Sequence, residues 1–362
     1  MIRLPVHLGA RSYSIDIGRG TLSGVARLLK SLGAGERVAV VTDSHVGPLY
    51  ADAVTNALTA AGFTSRVFTV ASGERSKSVH ALKELWDGFV ALDMDRDATV
   101  IALGGGVVGD LAGFAAATYM RGVRCVQIPT TMLACVDSSV GGKTAINLES
   151  GKNLVGAFHQ PAAVLIDPSV LDTLPKRELR AGLAEVIKCG VIMDEAFFGW
   201  IEANIEKLLQ LRAAATAKAI RRCCELKAGI VVLDERESDR RAILNYGHTV
   251  GHALETLTRY EDLIHGEAIA VGMVVASRVA ERLGMTTSEV TARQKVLLER
   301  TGLATTVKGP QTSEILETMR HDKKTRGGKL TMVLPSRIGE VKLVEDVRAE
   351  VVREVLEESR GG

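Results

Sequence analysis

Three of the chain's eight histidines, His248, His252 and His265, fall within eighteen residues. They belong to Asn245-Tyr-Gly-His-Thr-Val-Gly-His252 and to the His265-Gly-Glu267 that follows it. His248 and His252 are four apart, so a helix places them on one face. Imidazoles at that spacing suit a borderline-soft divalent metal such as zinc, usually with a carboxylate completing the set. Two core histidines satisfied by hydrogen bonds would give the same HxxxH pattern. Arg241, Asn245 and Glu267 weigh against that alternative, because few buried helices carry so many polar side chains without a use for them. A metal centre of this kind requires a second carboxylate, a cofactor, and partners for an anionic ligand from elsewhere in the chain.

Several other segments could supply them. Glu185 and Lys188 in Ala181-Gly-Leu-Ala-Glu-Val-Ile-Lys188 are three apart among apolar neighbours. A surface ion pair is one reading of them; a partly buried carboxylate that needs a cation is the other. Gly104-Gly-Gly-Val-Val-Gly109-Asp110 follows an apolar strand pattern and matches GxGxxG at Gly104, Gly106 and Gly109. A strand, glycine turn and helix in that order present free N–H groups to a pyrophosphate. The acidic residue that usually follows about twenty positions on is missing from Arg124-Cys-Val-Gln-Ile-Pro-Thr130, so a plain packing turn remains open. In Asp137-Ser-Ser-Val-Gly-Gly-Lys143-Thr a P-loop fails, because its first glycine would fall on Asp137. What remains is Lys143 on a glycine pair and Lys152 in Gly151-Lys-Asn, two point charges suited to an anion or simply solvated. Lys227, Arg241 and the basic run His321-Asp-Lys323-Lys324-Thr-Arg326 add further positive charge.

The elements that must position these residues fall into two parts. In the first, apolar strand patterns (Val38–Thr42, Ser65–Val70, Thr99–Leu103, Gly122–Ile128, Ala163–Ile166) alternate with helical ones (Pro48–Ala61, Ser78–Leu92). Short apolar strands separated by helices mean a largely parallel sheet covered on both faces. After Asp172-Thr-Leu-Pro the pattern turns helical: Lys176–Met193, Glu195–Arg212, Ala214–Val232, Ala242–Thr258, His265–Leu283 and Val347–Glu358, with a break expected at Tyr260–Leu263. Only Leu330–Leu334 and Val341–Val344 look extended there. The expected plan is an α/β nucleotide-binding domain over 1–174 and a mostly α-helical metal- and substrate-binding domain over 175–362. A net charge of only +2 on 362 residues argues against nucleic-acid or membrane-surface binding carried by bulk charge. Five cysteines without a CxxC indicate no disulfide framework and a reducing, cytoplasmic setting. No apolar run reaches membrane-spanning length.

Taken in order, these motifs resemble the 3-dehydroquinate synthases of the sugar-phosphate cyclase superfamily over nearly the whole chain. Tyr119-Met-Arg121-Gly, Pro-Thr130-Thr131 and Gly151-Lys-Asn-Leu-Val-Gly-Ala-Phe-His-Gln-Pro161 carry the likeness as well. The resemblance implies a phosphate lyase of the shikimate pathway, serving aromatic amino acid biosynthesis. Its substrate would be 3-deoxy-D-arabino-heptulosonate 7-phosphate and its products 3-dehydroquinate and phosphate. The route would be transient oxidation by NAD, phosphate elimination, re-reduction, ring opening and aldol closure. By the same likeness Glu185, His248 and His265 would hold a divalent metal, Zn2+ or Co2+, which moves His252 to a substrate or proton-transfer role. Asp137, Lys143, Lys188, Lys227, Arg241, Asn245 and one of Lys323 and Lys324 would bind or act on substrate. Arg121 would reach in from the other subunit of a homodimer. NAD would be held by Asp43, Glu74, Lys77, Gly106, Val107, Val108, Gly109, Asp110, Thr130, Thr131, Lys143, Lys152 and Thr173. His45 departs from the smaller polar residue expected beside Asp43. Two rivals share the plan: a 2-deoxy-scyllo-inosose or valiolone-type synthase, and a metal-dependent polyol dehydrogenase. The first has no substrate carboxylate to pair, and the second would accumulate NADH.

Overall fold

A computed structural model describes residues 1–237, 239–258, 262–321 and 330–360, residue 321 by its backbone alone. Two compact units divide the chain. The first is Met1–Leu174 with Lys227–Val232, and the second is Pro175–Leu226 with Leu233–Gly362.

The first unit contains β1 (Ile2–Val6), β2 (Tyr13–Ile17), α1 (Val25–Ser31), β3 (Arg37–Asp43), α2 (Gly47–Ala60), β4 (Thr64–Val70), α3 (Val79–Ala91), β5 (Thr99–Gly104) and α4 (Gly106–Thr118). There follow β6 (Arg124–Pro129), β7 (Lys143–Leu148), β8 (Gly151–Phe158) and β9 (Ala163–Ile166). Seven strands form one sheet in the order β1-β2-β9-β6-β5-β3-β4, parallel except for the β1–β2 pair. Period-two alternation supplies a core to each face. Val100 and Ala102 of β5 join Val41, Leu85, Phe89 and Leu111 on one side. Ile101 and Leu103 join Val40, Val54, Leu58 and Ile128 on the other. The chain runs outward from β3 to β4, then resumes at β5 and proceeds the other way through β6. The order therefore reverses between β3 and β5, and ligands of open α/β sheets bind beyond the carboxyl ends of the strands at such a reversal.

The second unit is α5 (Lys176–Met193), α6 (Glu195–Leu209), α7 (Ala213–Leu233, whose residues 227–232 group with the first unit), α8 (His248–Leu257), α9 (His265–Arg282), α10 (Ser288–Thr301), α11 (Thr312–His321), the hairpin β10 (Met332–Arg337) and β11 (Glu340–Val344), and α12 (Ala349–Glu358). Helix α9 is its axis, touching α5, α8, α10, α12 and β10. Two glycines permit the closest approaches. A Cβ on Gly266 would overlap the Ala181 carbonyl of α5, and one on Gly272 would overlap the Gly247 carbonyl just before α8.

One expectation is corrected, and several elements are added. The helix expected over Ala242–Thr258 is broken: Arg240–Asn245 forms a 3-10 turn, and α8 starts at His248 after Gly247 at φ +78°. That left-handed turn is cheap for glycine and costly for other residues. Lys143, directly after the glycine pair Gly141–Gly142, and Lys152 sit on the antiparallel β7–β8 hairpin. Most of β8 is exposed, so its sequence lacks the alternation that marks a half-buried strand. Strands β1 and β2 and helices α10 and α11 had no counterpart among the elements read from sequence. No described helix is long and apolar enough to cross a membrane.

Candidate active site

In the second unit, three helices deliver three side chains to one point. Glu185 lies on α5 and is fully buried; His248 opens α8 and His265 opens α9. The Nε2 atoms of His248 and His265 lie 4.0 and 3.7 Å from Glu185 Oε1, and the ligand atoms of all three residues fall within 4.8 Å of one another. Those separations are long for hydrogen bonds. Four-coordinate zinc at its usual bond lengths holds its ligand atoms about 3.3–3.6 Å apart, so the two imidazoles need to close by only a few tenths of an ångström on the carboxylate to share an ion. The carboxylate points the same way: neither oxygen has a hydrogen-bond partner among the described residues despite complete burial, and Lys188 Nζ packs against Oε2 as an ion pair. A buried carboxylate short of hydrogen-bond donors, set between two imidazoles, fits a divalent cation.

Each imidazole is backed on its far side. His248 Nδ1 lies 3.0 Å from the Tyr246 carbonyl oxygen, and His265 Nδ1 lies 3.3 Å from Glu255 Oε2. Burial pulls the His265 imidazole down, but the Glu255 hydrogen bond and the charges of Glu255 and Glu185 together hold it above its ordinary value. His252 lies one turn beyond His248, with ring centroids 5.1 Å apart. A second possible grouping joins His252, Glu255 and His265. The Glu185 grouping fits better, because Glu255 already engages His265 Nδ1.

The other expected residues of this unit have fixed partners. Arg241 is buried; its Nη1 donates to the Glu235 carbonyl at 2.7 Å and its backbone N–H to Asp234 at 3.0 Å. Asn245 Nδ2 donates to Glu237 Oε1 at 2.9 Å. Glu267, counted above among the polar residues of the centre, instead receives both Arg177 nitrogens (2.8 and 2.7 Å) and caps the Ile264 N–H. Lys323 and Lys324 lie outside the described residues. Glu255 was missed by sequence reasoning. Its signal was spacing: positions 248, 252 and 255 share one helical face.

In the first unit the carboxyl ends of the strands gather most of the residues expected around NAD. Asp43 ends β3, where its carboxylate accepts the N–H groups of His45 and Val46 at 2.8 and 2.9 Å. Gly104 ends β5, and Gly106–Asp110 form the first turn of α4. Thr130 and Thr131 follow β6; Thr130 Oγ1 is buried without a partner among the described residues, and Thr131 Oγ1 caps Ala134 N–H. Beyond β4, buried Lys77 donates to Asp110 Oδ2 at 2.7 Å and to Asn153, with Glu74 Oε1 at 3.5 Å. Glu74 Oε1 also lies 3.8 Å from Lys152 Nζ and accepts from Asn147 Nδ2 at 2.8 Å. Burial opposes the Lys77 ammonium, yet Asp110 and Glu74 outweigh it and hold its pKa above the usual lysine value. Burial also lifts the Asp110 carboxyl, with Lys77 pulling the other way. Asn147 and Asn153 had no role in the sequence reading. Thr173 Oγ1 meets the Tyr50 hydroxyl at 2.6 Å, apart from that cluster.

Asp137 lies on a single π turn, Ala134–Ser138, where Lys227 Nζ binds its carboxylate at 2.7 Å and its carbonyl at 2.6 Å. Lys143 is exposed at the start of β7. Arg121 is exposed in the turn after α4 with φ +67°. The structure thus brings together Glu185, Lys188, His248, His252 and His265 in one unit, and Glu74, Lys77, Asp110 and Lys152, with the Asp137–Lys227 pair, in the other.

Comparison with known proteins covers both parts. Residues 67–181 match the model of the 3-dehydroquinate synthase N-terminal family, and residues 182–325 that of its C-terminal family. A 3-dehydroquinate synthase of Desulforamulus reducens is 49% identical over 356 residues, spanning 98% of this chain and 99% of the relative. Among solved structures, a 2-deoxy-scyllo-inosose synthase complexed with carbaglucose-6-phosphate, NAD+ and Co2+ superposes with a TM-score of 0.90 at 27% identity, over 99% of this chain and 100% of that one. A 2-epi-5-epi-valiolone synthase from Streptomyces hygroscopicus subsp. jinggangensis, with NAD+ and Zn2+ bound, gives 0.88 at 28%, over 96% of each chain. A probable glycerol dehydrogenase from Sinorhizobium meliloti, at 15% identity and 0.62, shares the fold alone. With both halves of the family matched in order and a relative aligned end to end, the chain belongs to the 3-dehydroquinate synthase family.

Proposed function

We propose that the chain converts 3-deoxy-D-arabino-heptulosonate 7-phosphate into 3-dehydroquinate and phosphate, as a phosphate lyase of the shikimate pathway. The observation that carries this reading is the buried Glu185–His248–His265 trio, with Lys188 against its carboxylate, in a chain that aligns end to end with a relative named for that activity. The second unit would hold the divalent metal through those three residues. The first would hold NAD through Asp43, Glu74, Lys77, Gly106, Val107, Val108, Gly109, Asp110, Thr130, Thr131, Lys143, Lys152 and Thr173. Support for the NAD site is the reversal of strand order between β3 and β5, which gathers Asp43 and the glycine turn at the strand ends where nucleotides bind.

When bound, NAD would take a hydride and return it, and the metal would lower the pKa of the substrate hydroxyls it touches. The chain's own part is to position a flexible, multiply charged sugar acid. Lys188 occupies one oxygen of Glu185 and leaves the other for the ion. Lys227 holds Asp137 by both its carboxylate and its backbone carbonyl. Lys143, Arg241, Asn245, His252 and one of Lys323 and Lys324 complete the substrate set, whose cations offset the phosphate and carboxylate charges. The work is done by a cytoplasmic homodimer in which Arg121 serves the neighbouring subunit. Exposure of Arg121 and of the apolar Met120, Leu148, Leu154, Val155 and Phe158 in the same unit supports that assembly.

The 2-deoxy-scyllo-inosose and 2-epi-5-epi-valiolone synthases that superpose so well keep a second substrate class in view. Incubation with NAD, Co2+ and each sugar phosphate in turn separates them. Phosphate release from the heptulosonate alone supports the proposal; release from glucose 6-phosphate or sedoheptulose 7-phosphate alone would overturn it.

A further inference from the structure

Resting on the metal reading above, we propose that Glu255 is the positioning residue that orients His265 for the metal without binding the ion itself. An imidazole that offers Nε2 to an ion carries its proton on Nδ1, and that proton needs an acceptor. The two histidines meet this need differently. His248 has the Tyr246 carbonyl at 3.0 Å, an acceptor set by the backbone two residues before it. His265 opens its helix, and Glu255 Oε2 stands 3.3 Å from its Nδ1 while its Nε2 faces Glu185 Oε1 at 3.7 Å. Glu255 is itself buried, on the face of α8 that carries His248 and His252. The carboxylate thus ties the histidine of α9 to the helix that supplies the other histidine. A charged acceptor also makes the imidazole a better donor to a cation, and removal of such outer partners weakens metal binding by about 10- to 100-fold.

The test is Co2+ titration of the metal-stripped, full-length protein against a competing chelator, read by the Co2+ absorption bands. Glu255→Ala is expected to raise the dissociation constant by about 10- to 100-fold with the band positions of the wild type, since the ligand set is unchanged. Glu255→Gln, whose amide oxygen still accepts from Nδ1, is expected to recover part of that loss. It also guards against a folding defect in the alanine variant. Wild-type affinity in both variants would overturn the proposal. So would a changed Co2+ spectrum, which would make Glu255 a ligand in the His252–Glu255–His265 grouping. If the wild-type protein takes up no Co2+, the metal reading fails and this proposal with it.

Discussion

Gly266 is the position where one methyl group tests the geometry of the metal centre. It follows His265 at the start of α9, and a Cβ there would overlap the Ala181 carbonyl and lie 2.6 Å from the Ala181 Cα. Nonbonded carbons settle at about 3.5–4.0 Å, so Gly266→Ala must push α9 off α5 by about 1 Å. Glu185 lies one turn beyond Ala181 on α5, and His265 adjoins the substituted residue. The shift therefore opens the 3.7 Å edge between their ligand atoms, where metal sites tolerate only about 0.2 Å in each bond. Metal affinity should fall at least about tenfold, or ~1.4 kcal/mol. Overpacking costs about 1–3 kcal/mol, offset by up to ~1 kcal/mol of helix propensity gained on replacing glycine. Chelator competition and urea denaturation measure the two effects. Gly199→Ala on α6 is the control: a Cβ there meets nothing within 4 Å. It should stabilise by about 0.5–1 kcal/mol and leave metal binding alone. A Gly266→Ala protein that binds metal as tightly as the wild type would refute the close-approach argument.

Tyr246→Phe removes a buried hydroxyl 2.6 Å from Gln294 Oε1 and 3.0 Å from the Met273 carbonyl. Denaturation should show a loss of about 1–3 kcal/mol, and a change below about 0.5 kcal/mol would refute the network. Burial pushes the Cys125 thiol from 9.0 up to about 12. The folded value is raised, so its stabilising contribution is complete below pH ~9 and lost as pH climbs towards 12, by about 1.4 kcal/mol per pH unit. Cys125→Ala should therefore flatten the alkaline limb of the stability curve; an unchanged slope would contradict the assignment. Lys77→Met leaves Asp110 and Glu74 without their shared cation. Breaking such a buried pair costs about 3–5 kcal/mol of stability, and NAD titration should show weaker binding, because the carboxylates beside the glycine turn are left uncompensated. Unchanged affinity would exclude that cluster from the cofactor site.

Legibility in the sequence followed the locality of the signal. Helix α5 spans the periodic stretch Lys176–Met193, and β9 spans the apolar run Ala163–Ile166, because one buried face or two buried faces write a short-range pattern. The exposed strand β8 has no such pattern and exists through its pairing with β7. The periodicity over residues 242–258 hid the turn at Gly247, whose need arises from the close approach of α9 at Gly272. HxxxH drew attention to the histidines, yet spacing pointed to His252 as readily as to His265. Only the approach of α5, α8 and α9 sets Glu185 between His248 and His265. Glu255, seven residues after His248, was within reach of the same periodicity, but a lone glutamate on a helix is usually solvated.

The central claim is a lyase that borrows and returns its hydride. Its most direct test is phosphate released from 3-deoxy-D-arabino-heptulosonate 7-phosphate with NAD held far below the substrate concentration, while absorbance follows NADH. The expected result is one phosphate and one 3-dehydroquinate per substrate consumed, with no net NADH. NADH rising in step with substrate loss and no phosphate released would contradict it and place the chain among the dehydrogenases.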